Sequence, residues 1–337
     1  MRWRVVMMAG LLLMLGVMLG TARAQSPDFA QWQETFRTRA LAEGIERATL
    51  DAAFDGIEID EQVIKFDRKQ PENTVTLEKY LANTISERRI RIGREMMAAH
   101  RETLKKISAQ YGVQPEYIVA LWGIESDYGN HPGNFSVVQS LATLAYEGRR
   151  ADFFAKELIS ALKVIQQEQL VPAELTGSWA GAMGDCQFIP STYLAFAVDG
   201  DGDGKRDIWN DKADVFASIA NYLHGLGWDK TTGTVLGETG DAGHFKPAEA
   251  SIEKPQTGEY WGKRGIRVTQ FDPEQDRGFV VTPGGSQLLY AIYLDKAAEA
   301  ENIPTLVTGN FKALLQWNRS RYFATAVGTL AGQIAGR

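Results

Sequence analysis

The sequence lacks the features of a disulfide-stabilised, fibrous or nucleic-acid-binding protein. Its 337 residues contain one cysteine, so no intrachain disulfide can form and packing must hold the fold together. The formal net charge of −6 argues against binding nucleic acid by phosphate neutralisation. With 44% hydrophobic and 23% charged residues, the composition excludes a collagen, a mostly disordered chain and a polytopic membrane protein.

The sequence has one long hydrophobic run, which lies near its N-terminus. Arg2 and Arg4 precede an apolar stretch over residues 5–20, and small residues follow it at 22–24. Because this stretch is shorter than the roughly 20 residues that span a bilayer, we interpret residues 1–24 as a cleavable secretory signal rather than a membrane anchor. We therefore expect a bacterial periplasmic protein without a stable membrane anchor after cleavage.

Helical periodicity dominates the remaining sequence. Apolar residues recur at helical spacing over four stretches, 28–56, 75–110, 286–301 and 319–334. From 112 to about 228 we expect several helices separated by Gly-rich loops, and residues 57–74 are mixed. Short strands are predicted at 267–269 and 279–282. The predicted fold is mostly α, with a small β-containing part.

A carboxylate lies at the end of the most apolar predicted helix. Nearly all residues from 117 to 124 are apolar, and Glu125 follows them. Burial would raise the pKa of this carboxyl and keep it protonated near neutral pH, as a general acid requires. The alternative is a glutamate that reaches solvent at a helix end. Asp127 lies roughly 200° further round the helix, so a pair of carboxylates is not evident here.

Small residues crowd the segment 177–191, GSWAGAMGDCQFIPS. A backbone with few side chains lets a bulky ligand approach closely, and Ser178 and Gln187 are the polar groups that could bind a sugar or orient the acid. Close helix packing around a turn explains the pattern equally well. Cys186 is expected to be a buried filler, because no histidine stands near it in the sequence to activate a nucleophile.

An Asp-rich segment beginning at Asp199 matches the start of an EF-hand calcium loop. Asn210 stands where a bidentate glutamate would close the loop, so a later aspartate would have to replace it. The alternative is an acidic turn held by its own hydrogen bonds and by basic neighbours. The candidate ligands are Asp199, Asp201, Asp203, Lys205, Asp207 and Asp214.

Several segments in a fixed order resemble the bacterial lytic murein transglycosylase B family. They are GIESDYG at 123–129, the small-residue segment, the Asp-rich loop, ANYL at 220–223 with Gly-Trp at 227–228, and LQWNRSRY at 315–322. The resemblance extends from about residue 28 to 334. No single segment is specific by itself, but their order is.

The resemblance implies a lysozyme-like helical catalytic core with flanking helical segments. We expect the signal peptide at 1–24, an N-terminal helical region at 25–110 and the catalytic core at 111–230. Residues 231–337 would supply the small β-containing segment and C-terminal helices that complete the substrate cleft. The implied activity cleaves the MurNAc–GlcNAc β-1,4 bond of peptidoglycan without water, leaving 1,6-anhydro-MurNAc ends. No catalytic cofactor is implied, whereas a structural Ca²⁺ is.

The resemblance also implies roles for individual residues. Glu125 matches the single acid and base, and Arg149 and Arg150 match a basic pair that can contact N-acetylmuramyl or peptide carboxylates. The remaining matches to sugar-binding positions are Ser178, Gln187, Tyr222, Asn318 and Tyr322. Trp317 departs from an expected tyrosine: it keeps a stacking face and replaces the hydroxyl with an N–H. The calcium loop is one residue longer than expected, which leaves its last ligand open.

Two other functions remain open on the sequence alone. A hydrolytic muramidase could use the same cleft, with water in place of the sugar's C6 hydroxyl. A non-catalytic peptidoglycan-binding module would be favoured if Glu125 were charged and exposed to solvent.

Overall fold

The computed structural model describes residues 28–69, 75–147, 149–239, 245–272 and 277–336. The signal sequence predicted at 1–24 lies outside these ranges. Within them the chain is mostly helical, with one two-stranded and one six-stranded sheet. No helix in the described ranges has the length and apolar character needed to cross a bilayer.

Six helices form the N-terminal region as far as the structure describes it, with a gap at residues 70–74. They are α1 (Phe29–Ala42), α2 (Arg47–Ala53), α3 (Glu61–Arg68), α4 (Leu77–Thr84), α5 (Glu87–Ala99) and α6 (Arg101–Tyr111). The single helix predicted over 75–110 is wrong, because the chain bends twice there. The Ser86 hydroxyl accepts the Arg89 N–H and begins a new helix, and His100 lies between α5 and α6. Helix α3 was not predicted; the Asp60 carboxylate caps it.

The central region surrounds one deeply buried helix. It contains α7 (Pro115–Ser126), β1 (Phe135–Ser136), α8 (Val137–Glu147), α9 (Ala151–Glu168), β2 (Thr176–Gly177), α10 (Pro190–Phe196) and α11 (Lys212–Gly225). Every residue of α7 from Tyr117 to Gly123 is buried, since α5, α6, α11 and the C-terminal helix pack around it. Its apolar sequence follows from being covered on nearly all sides.

The C-terminal region combines a small antiparallel sheet with helices. Its elements are β3 (Val235–Thr239), β4 (Gln256–Thr257), α12 (Gly258–Lys263), β5 (Val268–Asp272), β6 (Arg277–Val281), β7 (Leu288–Ile292), α13 (Lys296–Ala300), β8 (Thr305–Val307), α14 (Gly309–Trp317) and α15 (Arg321–Ile334). The strand order is β4-β7-β8-β3-β5-β6. Both predicted strands are present, as β5 and β6. The helix predicted over 286–301 is wrong: its first half is β7, where Leu289 and Ala291 point into a small core with Trp261 and Leu306.

The last two helices belong to the main core rather than to the small sheet. Phe311 and Leu314 of α14 and Val327 and Leu330 of α15 are buried in it. Helix α15 packs along α7, α5 and α4. The last two helices therefore return to the buried helix α7, and they help to form the surroundings of the C-terminal end of α7.

The loop that follows α7 passes against β2 with no room for a side chain. Gly133 has φ +92°, and a Cβ there would overlap the Gly177 carbonyl and lie 2.6 Å from the Ser178 nitrogen. β1 pairs with β2, so Phe135 lies opposite Gly177. This close approach holds Ser178 beside the segment that follows Glu125.

We expect Gly133→Ala to destabilise the fold more than Gly112→Ala does. Both glycines have positive φ, but a Cβ at Gly112 would meet open space. The left-handed conformation alone costs roughly 1–2 kcal/mol, and overpacking at Gly133 adds roughly 1–3 kcal/mol. Urea unfolding followed by circular dichroism measures both losses, and equal losses would contradict the close approach.

Candidate active site

Glu125 lies in the last turn of α7, which ends abruptly after it. Asp127, Tyr128 and Gly129 have φ values of 52°, 60° and 83°, so three successive residues are left-handed. Arg88 donates to both oxygens of Asp127 at 3.0 Å. Asp127 is thus engaged by α5, and it does not pair with Glu125.

The carboxyl of Glu125 has a raised pKa. The residue is partly buried by surface area, yet its carboxyl lies deep enough for burial to raise its pKa from 4.5 to about 7. The indole N–H of Trp317 donates to Oε1 at 2.7 Å and opposes this rise by stabilising the ionised form. In the described part of the chain, neither a second carboxylate nor a cation contributes to the shift. The carboxyl can therefore donate and accept a proton near neutral pH.

Aromatic rings from three helices stack beside the carboxyl. The ring of Trp317 lies 4.9 Å from that of Tyr222 at 28°, and Tyr222 lies 4.4 Å from Phe196 at 22°. Phe188 contacts both Trp317 and Tyr222 at 5.4 and 5.6 Å. The predicted site residue Tyr222 thus stacks on Trp317, which in turn is hydrogen-bonded to Glu125.

Ser178 and Gln187 are held within the small-residue segment. The Ser178 hydroxyl oxygen accepts the N–H groups of Ala180 and Ala182 at 3.3 and 3.0 Å, which leaves its own hydrogen to donate. The Gln187 amide nitrogen donates to the carbonyls of Pro132 and Gly184 at 2.8 and 2.9 Å. Gln187 therefore ties this segment to the loop after α7, and its amide oxygen remains to accept.

Tyr322 and Asn318 lie at the junction of α14 and α15. Asn318 ends α14 and accepts the Ser320 N–H at 3.0 Å. The Tyr322 ring lies 5.7 Å from that of Tyr80 on α4, and Tyr322 lines a surface cavity of about 790 Å³.

Tyr80 is a candidate site residue that the sequence analysis missed. Burial raises the pKa of its hydroxyl, and the charge of Glu125 adds to that rise. Tyr80 therefore lies within electrostatic reach of the carboxyl. It stands in an ordinary amphipathic helix with no motif around it, so nothing in the sequence marks it.

Arg149 and Arg150 surround a carboxylate on α3. Arg149 donates to both oxygens of Asp67 at 2.8 and 2.7 Å, and Arg150 donates at 3.4 Å. Hydrogen bonding by Arg149 is the largest cause that lowers the pKa of Asp67. Both arginines remain about half exposed, so a role toward substrate carboxylates stays a prediction.

Two carboxylates of the Asp-rich loop converge with one on α11. Oxygens of Asp199, Asp201 and Asp214 lie within 4.8 Å of one another. Asp214 is on α11, and burial raises its pKa to about 6. Backbone N–H donors hold the group in place: Gly204 and Gly202 donate to Asp199, which lowers its pKa.

The other predicted ligands have different partners. Asp203 accepts the Lys205 N–H at 2.8 Å, and Asp207 accepts the N–H groups of Trp209 and Asn210 at 3.0 and 2.9 Å. Asp203 and Asp207 accept local N–H groups as Asp199 does, but they lie outside the converging group. Asp214, which lies beyond the twelfth loop position, is the later carboxylate that lies close to Asp199 and Asp201.

A helical fold around one buried glutamate, with aromatic rings beside it, defines the class of lysozyme-like enzymes that cleave glycans. The chain belongs to the transglycosylase SLT domain family, which matches residues 28–332. The fold class and the family resemblance predicted from the sequence are both confirmed.

Solved structures of related enzymes share the fold over about nine tenths of this chain. SltB3 from Pseudomonas aeruginosa, in complex with NAG-anhNAM-pentapeptide, is 38% identical with a TM-score of 0.82, over 92% of this chain and 81% of that chain. Slt35 from Escherichia coli, in complex with calcium, is 26% identical with a TM-score of 0.71, over 93% and 94%.

A curated relative matches over a shorter stretch. The membrane-bound lytic murein transglycosylase B of Escherichia coli (strain K12) is 42% identical over 132 residues. That alignment spans 39% of this chain and 36% of the relative, so this chain matches about a third of the relative's length.

The raised pKa of Glu125 predicts how stability depends on pH. The folded chain holds the proton more tightly than the unfolded chain, with a pKa of about 7 against 4.5. The stabilisation is thus complete below the unfolded pKa and is lost as pH rises through the folded pKa. At about 1.4 kcal/mol per pKa unit, wild type should lose about 3 kcal/mol relative to Glu125→Gln between roughly pH 4 and pH 8.5.

Urea unfolding of both proteins at several pH values measures this difference. Glu116→Gln, in the first turn of α7, serves as the control, because it removes one glutamate elsewhere on the same helix. A stability difference between wild type and Glu125→Gln that is constant with pH would show that burial does not destabilise the ionised carboxyl.

Proposed function

We propose that this chain is a lytic transglycosylase that cleaves the MurNAc–GlcNAc β-1,4 bond of peptidoglycan without water and leaves 1,6-anhydro-MurNAc ends. The observation that carries the proposal is one buried carboxyl, Glu125, whose pKa of about 7 lets it act first as acid and then as base. Family membership supports the substrate class. The related SltB3 binds NAG-anhNAM-pentapeptide, a ligand with the proposed type of end.

The first step uses protonated Glu125. Its proton passes to the glycosidic oxygen while the bond between that oxygen and C1 of MurNAc breaks, and the GlcNAc leaves with a hydroxyl. The carbonyl of the substrate's N-acetyl group stabilises the electron-poor C1, as in substrate-assisted glycosidases. No second carboxylate is needed for this role.

The second step restores the enzyme. Ionised Glu125 takes the proton of the MurNAc C6 hydroxyl, and the C6 oxygen forms a bond to C1. This attack within one sugar has a higher effective concentration than attack by a free water. The glutamate ends protonated, so neither a cofactor nor an external proton is consumed.

The surrounding side chains would hold the two sugars. The free Ser178 hydrogen and the Gln187 amide oxygen offer a donor and an acceptor for N-acetyl and hydroxyl groups. Tyr222 and Tyr322 offer aromatic faces, and Asn318 an amide. Arg149 and Arg150 would contact carboxylates of the lactyl or peptide groups while they remain paired with Asp67.

The predicted layout of the chain is retained in this proposal. Residues 111–230 would form the catalytic core and residues 231–337 would complete the cleft, since Trp317 of α14 reaches Glu125. Residues 1–24 would direct export to the periplasm, where the peptidoglycan substrate lies. A purely peptidoglycan-binding role is disfavoured, because it gives no reason to bury a carboxyl.

The released products test the proposed reaction. Digestion of peptidoglycan in ¹⁸O-labelled water should give muropeptides that end in anhydro-muramyl sugars and carry no label, because no water enters the products. Mass spectrometry reads both properties. Glu125→Gln should reduce product formation by at least about 10²–10⁴-fold, the usual effect of losing a general acid.

Two results would contradict the proposal in different ways. Reducing ends that carry the label would identify a hydrolytic muramidase with Glu125 as its acid. Full turnover by Glu125→Gln would remove Glu125 from the reaction altogether.

We also propose that the converging carboxylates of Asp199, Asp201 and Asp214 bind Ca²⁺. Hard oxygen ligands at close quarters suit this ion, and three such groups lie within 4.8 Å of one another. The related Slt35 has been solved in complex with calcium. The ion would join the loop to α11 and play a structural role.

We expect millimolar Ca²⁺ to raise the melting temperature of the chelator-treated protein. A ligand that binds only the folded state stabilises it by about 2.7 kcal/mol at a hundred times its Kd. Asp201→Asn should abolish the rise, whereas Asp152→Asn, which removes the same charge from the exposed start of α9, should keep it. Calorimetry with and without Ca²⁺ makes the comparison, and an unchanged melting temperature in wild type would identify an acidic turn.

A further inference from the structure

The contact between Trp317 and Glu125 has a specific chemical consequence. The indole Nε1 donates to Oε1 of the carboxyl at 2.7 Å. An indole nitrogen can only donate a hydrogen bond, and it does not ionise at physiological pH. The bond can therefore form with both the neutral and the ionised carboxyl. It makes the two carboxyl oxygens unequal, because only Oε1 accepts the indole N–H.

Packing holds the Trp317 indole in place, so its position does not depend on its hydrogen bond to the carboxyl. Trp317 is the last residue of α14, whose Phe311 and Leu314 are buried in the main core. One face of its ring stacks on Tyr222, and Phe188 contacts it at 5.4 Å. A ring held in this way presents its N–H in a constant direction.

We propose that Trp317 is a positioning residue that keeps the transferable proton of Glu125 on Oε2. Oε1 accepts the indole N–H, and the carbonyl oxygen of a carboxylic acid is a better acceptor than its hydroxyl oxygen. The acid form therefore carries its hydrogen on Oε2, the oxygen left for the substrate. After proton transfer the same N–H stabilises the carboxylate, and Oε2 takes the proton back. This inference rests on the proposed function of Glu125.

The other ionisable groups that face the carboxyl do not compete for this role. Among the residues that the structure describes, they are Tyr80 on α4 and Cys186 in the small-residue segment, each of which interacts electrostatically with Glu125. Burial raises the pKa of both groups, so both remain protonated near neutral pH. Asp185, next to Cys186, is engaged by Lys212 at 2.8 Å and by the Trp122 indole at 3.0 Å.

Other indoles of the chain provide internal controls. Trp228 donates to the amide oxygen of Gln114 at 2.7 Å, and Trp209 donates to the Thr176 carbonyl at 3.1 Å. Neither acceptor titrates. An effect of pH on Trp317 that is absent from these two must come from the ionisation of its own acceptor.

The experiment follows indole N–H signals of the ¹⁵N-tryptophan-labelled full chain by NMR as pH changes. The Trp317 signal, assigned by its loss in Trp317→Phe, should titrate with the same midpoint as the ¹³C-labelled Glu125 carboxyl. The signals of Trp228 and Trp209 should not follow that midpoint, and Glu125→Gln should abolish the titration of Trp317. A merely structural contact to a group that does not ionise would give none of these changes.

The variant Trp317→Phe keeps a stacking ring and removes the donor. It should raise the midpoint of Glu125 by about one pH unit, which corresponds to about 1.4 kcal/mol. Trp228→Phe removes an indole N–H elsewhere and should leave that midpoint unchanged. If Trp317→Phe does not fold, through-bond assignment identifies the Trp317 signal, and the titration of wild type and Glu125→Gln still decides the question.

A Trp317 signal that stays constant while Glu125 titrates would overturn the proposal, as would an unchanged Glu125 midpoint in folded Trp317→Phe. Neither result depends on catalysis. The proposed function fails separately, through labelled products or an active Glu125→Gln, so the two failures can be told apart.

Discussion

The burial of one carboxyl against a single N–H donor is the interaction on which the site depends. Removing the Glu125 carboxyl from water destabilises its ionised form and raises its pKa to about 7. The hydrogen bond from the Trp317 indole stabilises the ionised form, but only enough to offset part of this effect. The balance leaves both protonation states accessible near neutral pH. A stronger partner, such as an arginine, would hold the carboxylate ionised and remove the acid.

The fold creates this balance by surrounding α7 and then returning to it. α7 is apolar because it is covered, and its abrupt left-handed end holds Asp127 against Arg88 rather than against Glu125. The C-terminal helices enter the same core and bring Trp317 to the carboxyl. The close passage of Gly133 along β2 places Ser178 beside the same turn. The site is thus assembled from distant parts of the chain.

Local sequence predicted what depends on local chemistry. A nearly continuous apolar run located Glu125 at the end of a buried helix, and the order of short segments identified the family. The indole contact was beyond reach, because it joins residues 192 positions apart. Tyr80 carries no local signal, and the bends at Ser86 and His100 interrupt a continuous apolar period. β7 was mistaken for a helix because a short apolar run suits either structure until its partner strand is known.

The dependence of kcat/KM on pH, measured with soluble glycan strands, tests the central claim most directly. This ratio reports the ionisation of the free enzyme, whose Glu125 must be protonated for the first step. With the pKa of Glu125 near 7, kcat/KM should fall about tenfold per pH unit above that value. The ionisation of Glu125 causes this fall, so the residual activity of Glu125→Gln should not show it. A profile that stays level through pH 7, or falls already near the ordinary glutamate pKa of 4.5, would contradict the account.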